Sequence, residues 1–129
     1  MNQKFNALMI AAFVAFSSMM LAAEQFPDQP NVQGAFNKLT ATLAQLDKAK
    51  LETPGEHVKN AIVHLDSAKT FLDQATNNKG TYLRTAKDLC DQAKAALEAT
   101  PPDLDKATEI ANRALHEVNM AGKAGRRVR

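Results

Sequence analysis

Apolar residues between Val58 and Leu97 recur at alternating intervals of three and four, and this spacing restricts the stretch to helices that share a buried seam. Val58, Ala61, Leu65, Ala68, Leu72 and Ala75 form one row, widened by Ile62 and Phe71. Leu83, Ala86, Cys90, Ala93 and Leu97 form a second, flanked by Tyr82, Leu89 and Ala96. Asn77-Asn78-Lys79-Gly80 lies between them and reads as a tight turn, with Gly80 supplying the left-handed residue that commonly closes a helix. In both rows large residues alternate with alanine, which lets two backbones approach closely. The stretch from Thr53 to Ala99 therefore reads as an antiparallel helical hairpin. A hairpin alone buries too little surface to be stable, so flanking sequence must complete the core.

The flanks supply two more helices. Phe36, Leu39, Leu43 and Leu46 lie on one face of a helix expected over about 32–50. Thr53-Pro54-Gly55-Glu56 then combines a capping box with proline at the first helical position, which opens a helix over about 55–77. The third helix is expected over about 81–99. Thr100-Pro101-Pro102-Asp103 repeats the start signal for a last helix over about 103–121, with Leu104, Ala107, Ala111, Ala114, Val118 and Ala121 as its seam and Ile110 and Leu115 beside it. Gly122 is expected to end it. With 129 residues, no tryptophan, few aromatics and no alternation of period two, the composition favours one all-α domain over a sheet. Short loops between four helices predict an antiparallel up-down-up-down four-helix bundle over 32–122. Lys48-Ala49-Lys50-Leu51-Glu52-Thr53-Pro54 resembles Lys94-Ala95-Ala96-Leu97-Glu98-Ala99-Thr100-Pro101, which fits an internal duplication or convergence on residues that end helices well.

Lys4 precedes an uncharged, mostly apolar run from Phe5 to Ala23 that ends in Met20-Leu21-Ala22-Ala23. A basic start, an apolar centre and a small-residue end read as a secretory signal peptide over 1–23, cleaved after Ala23. The alternative is an uncleaved anchor, since the run is long enough to span a bilayer. No cysteine follows the run, which argues against a bacterial lipoprotein. Cleavage predicts a periplasmic or secreted protein that starts at Glu24, with an extended leader over 24–31. Charge is unevenly distributed. From Glu24 to Ala121 there are 11 Lys/Arg against 14 Asp/Glu, a net of −3, whereas the last eight residues add Lys123, Arg126, Arg127 and Arg129. An acidic body thus carries a basic tail over 123–129, expected to be mobile and able to touch a protein or an anionic surface. The tail lacks interleaved aromatics, so no nucleic-acid partner is expected.

Candidate chemistry is sparse. His57 and His64 stand two turns apart on one helix face with Asn60 between them, and imidazole is the commonest side-chain ligand for copper, nickel and zinc. They form a candidate metal site, although the stronger helical signature places histidines three or four apart. His116 falls on the outer face of the last helix, near Glu109, Asn112 and Glu117. Cys90, the single cysteine, sits mid-seam and reads as a small buried hydrophobe. Asp66 and Asp73 are each within one turn of Lys69 and read as a solvated, charge-balanced face. Neither a haem attachment motif nor a phosphate loop, nucleophile elbow or metalloprotease motif appears, and Met120 has no signal as an axial ligand. The chain is therefore not expected to be an enzyme or to hold haem.

The block from Val58-Lys59-Asn60-Ala61-Ile62-Val63-His64-Leu65 through Asn78-Lys79-Gly80 to Ala86, Ala93 and Leu97 resembles the small periplasmic metal-binding protein family of exported bacterial four-helix bundles. The helices of that family repeat A-x-x-x-[HL]-x-x-A around a glycine turn, and the resemblance spans about Thr53 to Ala121. It implies binding of copper, nickel or another divalent ion. His64 occupies a position the pattern gives to histidine and His57 lies one heptad before it, whereas Thr81 and Tyr82 stand where histidine often follows the turn glycine. The expected function is a non-enzymatic, exported helical binding protein with weak divalent-metal binding at His57 and His64. The alternative is a structural or protein-interaction module with no metal site.

Overall fold

The computed structural model describes residues 25–52, 54–75 and 81–127, with backbone only at 126 and 127. The expected signal peptide, the Thr53 cap and the turn Asn77-Asn78-Lys79-Gly80 lie outside the described residues. Within them the chain is all-helical, with no strand. Four helices follow one another: α1 Pro30–Leu51, α2 Pro54–Gln74, α3 Tyr82–Glu98 and α4 Leu104–Arg127.

Local chemistry explains most of the boundaries. Pro30 and Pro54 open α1 and α2, where a missing N–H costs nothing and the fixed φ suits the helix. Lys48 and Lys50 in the last turn of α1 complement its partial negative charge, and the Glu52 N–H closes the turn on Lys48 O at 2.8 Å. Asp103 caps α4 by accepting a hydrogen bond from the Lys106 N–H at 3.0 Å, and its own N–H donates back to Ala96 O at 2.9 Å. The loop between α3 and α4 is thereby folded onto the end of α3.

The four helices enclose one core. α1 packs against α2 and α4, and α3 packs against α2 and α4, while the diagonal pairs α1/α3 and α2/α4 do not meet among the described residues. The seam residues Val58, Ala61, Leu65, Ala68 and Leu72 are buried, as are Leu83, Ala86, Cys90, Ala93 and Leu97. Ala107, Ala111, Ala114, Val118 and Ala121 are fully enclosed in α4. Small side chains at so many core positions bring the helices together through backbone proximity. Two threonines of α1 are also interior. Thr40 and Thr42 are tolerated because their hydroxyls donate to Phe36 O and Lys38 O, each at 2.9 Å, so neither is buried unpaired. Among the described residues no helix is long and apolar enough to cross a membrane.

Two expectations at the chain ends are corrected. Residues 24–31 were expected to form an extended leader, but α1 begins at Pro30 and Phe26 is a core residue with 1% exposure. Its ring meets Phe36 edge-on, with centroids 6.1 Å apart. Gly122 was expected to end the last helix and release a mobile basic tail. Instead α4 continues to Arg127, and Gly122 is where Phe26 seats, leaving no room for a Cβ. Gln29 Nε2 donates to Gly122 O at 2.9 Å and reinforces the contact. The glycine serves close packing of the leader and not termination. The expected second helix also ends earlier, at Gln74, with Ala75 outside it.

Candidate functional site

His57 lies in the first turns of α2, beside the end of α1. Its Nδ1–H donates to Gln45 Oε1 at 2.9 Å, because an amide oxygen can only accept. In the neutral ring this bond assigns the proton to Nδ1 and leaves the Nε2 lone pair free. Nε2 lies 3.8 Å from Glu52 Oε2. An imidazole nitrogen and a carboxylate oxygen are thus presented together, and the ring is oriented by a partner on its other nitrogen, as metal-binding histidines usually are. With ligand bonds of about 2.0–2.2 Å, a divalent ion can bridge a gap of this size with little movement. Glu56, also in the first turn of α2, adds a carboxylate to the neighbourhood and is exposed.

His64 is placed differently. Two helical turns, about 10 Å of rise, separate it from His57. One ion held by both rings would need their nitrogens within about 4 Å of each other. The structure therefore does not bring the two histidines to one ion. His64 is half-buried, and its Nδ1 is enclosed with no hydrogen-bond partner. Burial, and then the Lys38 ammonium facing it from α1, push its pKa below the ordinary 6.5. The same lysine charge opposes a cation at this ring.

The remaining candidates are dispersed. Cys90 is completely enclosed, and burial pushes its thiol up to about 12, so it stays a thiol and behaves as a small core residue. His116 is exposed on the wall of an open groove between α3 and α4, with Glu109, Asn112 and Glu117 as neighbours and Leu89 at its base. A second open groove, at the start of α4, is lined by Ala49 and Lys50 of α1 and by residues 101–105. Among the described residues no three His, Cys, Asp or Glu side chains converge as a metal-binding group.

The aspartates are also redirected. They were expected to balance lysines within α2, but Asp66 pairs with Lys94 at 3.1 Å and Asp73 with Lys87 at 2.6 Å. Lys69 pairs with Asp91 at 2.5 Å. All three pairs reach across to α3. The Asp91 bond, more than the Asp66 and Asp73 charges, raises the Lys69 pKa.

Sequence spacing missed Glu52 and Gln45 as partners of His57. Glu52 precedes His57 by five positions, across the break between two helices, so no helical period relates them. Gln45 belongs to α1, and only packing places it there. The chain matches no known family model, no curated protein and no solved structure.

Proposed function

We propose that the protein is a non-enzymatic, exported, up-down-up-down four-helix bundle that binds a divalent metal weakly through His57 and Glu52. The observation that carries the metal reading is the oriented imidazole, with Nδ1–H donated to Gln45 Oε1 and Nε2 facing the Glu52 carboxylate at 3.8 Å. Two protein donors and solvent complete only a weak site, and the nitrogen and oxygen set suits copper or nickel. His64 lies outside this site, where burial and the Lys38 charge disfavour its protonated form. Export rests on the Lys4 to Ala23 pattern, which reads as a cleaved signal and places the protein in the periplasm or outside the cell. The up-down-up-down path is supported by the α2/α3 ion pairs, in which residue numbers rise along one helix as they fall along the other. The resemblance to small periplasmic metal-binding proteins points the same way.

Calorimetric titration of the untagged protein with copper and with nickel tests the site. Binding should disappear in His57→Ala, weaken about tenfold in Gln45→Leu, which frees the ring, and persist in His64→Ala. A chelator-reversible rise in melting temperature should accompany it, because a ligand held only by the folded state stabilises that state. Absence of binding, or binding indifferent to His57→Ala, overturns the site and leaves a structural or interaction module without a metal.

A further inference from the structure

The four seams of the bundle are not equivalent. α1 packs extensively on α2 and α3 on α4, so the described residues form two helical hairpins. The seams between the hairpins, α1/α4 and α2/α3, are sparser and are closed by different means. The α1/α4 seam is pinned at both ends. At one end Phe26 is seated on Gly122, and Gln29 Nε2 donates to Gly122 O at 2.9 Å. At the other, Lys50 Nζ lies 3.3 Å from Asp105 Oδ1, beside the groove that Ala49 and Leu104 share.

Across α2/α3 the polar clasp is a ladder of three ion pairs, Asp66–Lys94, Lys69–Asp91 and Asp73–Lys87. Intervals of three and then four on α2 match intervals of three and then four on α3, and the signs alternate along each helix. This register pairs all six charges, whereas a slip of one turn sets like charges opposite one another. The three carboxylates are 52–58% exposed, so ions from solution reach them. Each rung directly follows a buried residue: Leu65, Ala68 and Leu72 on α2, and Ala86, Cys90 and Ala93 on α3. The ladder therefore runs along the lip of the apolar rows. Four of those six residues are small, so few interlocked side chains resist separation of the two helices. Cys90 is completely enclosed at this lip, and the charges of Asp91, Lys69 and Asp66 all reach its thiol.

We infer that the α2/α3 seam is a gate latched by this ladder, which parts while both hairpins stay folded and is released by salt. The pinned α1/α4 seam is the hinge, and parting brings Leu65, Leu72 and Cys90 to solvent. Each half-exposed pair favours the closed state by up to about fivefold, and the ladder as a whole by up to about a hundredfold. Local opening of this kind needs less energy than unfolding, because most of the core remains covered. The gate is independent of the metal site, since His57, Glu52 and Gln45 all belong to the first hairpin and its helix break.

Cys90, the single cysteine, reports the gate. The protein is reacted with dithiodipyridine, an uncharged disulfide, and each rate is divided by that of a free cysteine model under the same conditions. The rate should rise at least about fivefold between about 0.05 M and about 1 M sodium chloride. Its urea dependence should be shallower than that of global unfolding followed by circular dichroism, because parting one seam exposes less surface. At low salt Asp66→Lys should accelerate the reaction at least about fivefold, and Asp66→Lys/Lys94→Asp should return it to the parental rate. The reversed pair separates a lost latch from a damaged helix. Lys50→Gln, at the other seam, should leave the rate unchanged. A rate indifferent to salt, or a urea dependence equal to that of global unfolding, overturns the gate. So does failure of the reversed pair to restore the rate, or an acceleration in Lys50→Gln equal to that in Asp66→Lys.

Discussion

The two faces of α2 hold their partner helices by different means. Toward α1, the most extensively packed pair among the described residues, a ring lies directly against a glycine: a Cβ at Gly34 would come within 2.6 Å of Phe71 Cδ1. Toward α3, the most sparsely packed pair, Asp66, Lys69 and Asp73 reach across to Lys94, Asp91 and Lys87. Dispersion and exclusion of water carry the first contact, and they depend on shape. Coulomb attraction between half-exposed groups carries the second, and it depends on solvent. The same helix therefore makes one seam sensitive to volume and one sensitive to salt.

Phe71→Ala should break the apolar seam most severely. A fully buried ring truncated to alanine costs about 3–5 kcal/mol, and the half-buried position of Phe71 lowers the expectation to about 2–4 kcal/mol in denaturant unfolding. Gly34→Ala sharpens the comparison. Overpacking costs about 1–3 kcal/mol and the gain in helix propensity returns about 1, leaving a net loss of about 1 kcal/mol. In a Phe71→Ala background the clash is absent, and the same substitution should become stabilising. A double-mutant cycle that shows simple additivity would refute the contact as the reason for the glycine.

A smaller effect separates the α1/α2 seam by pH. The folded-state pKa of His64 lies below its unfolded value of 6.5, so the folded protein resists protonation there. Its contribution to stability is complete above about pH 6.5 and declines as pH falls below that value toward the folded pKa. His64→Gln should reduce the loss of melting temperature between about pH 7.5 and about pH 5. An identical loss in both proteins would show that another group governs acid stability.

The ion-pair seam should yield the smallest change. Removing one partner, as in Lys94→Gln, is expected to cost between about 0 and 1 kcal/mol, because the groups remain partly solvated. High salt should erase the difference between Lys94→Gln and the parent while leaving the Phe71→Ala deficit unchanged.

Much of the core is legible in the amino-acid sequence. The three-and-four spacing selects the helical face, and Leu65, Ala68, Cys90, Ala93, Ala111 and Val118 are buried where that spacing puts them. Helix starts are equally readable at Pro54 and Asp103, since proline and capping side chains act on the adjacent backbone. The glycine at position 122 misleads. A glycine after a run of seam residues is the usual mark of a helix end, and nothing local distinguishes it from a seat for a distant ring.

The candidate site is less legible. His57 and His64 share a face by periodicity, yet that periodicity also keeps them two turns apart. The groups that orient His57 come from another helix and from across a helix break. Similarly, Asp66 and Asp73 stand close to Lys69 in sequence, and the partners they take in α3 are set by how two helices lie side by side.

Sequence alone determined the all-helical class, the buried rows and the lengthwise imbalance of charge, because periodicity, capping and composition act over a few residues. Only the tertiary structure decided that Phe26 joins the core, that α4 passes through Gly122 to Arg127, and that His57 meets Gln45 and Glu52 while His64 faces Lys38. Each of these depends on groups far apart along the chain or on opposite sides of a helix break, and their meeting is set by how the helices pack and where their breaks fall.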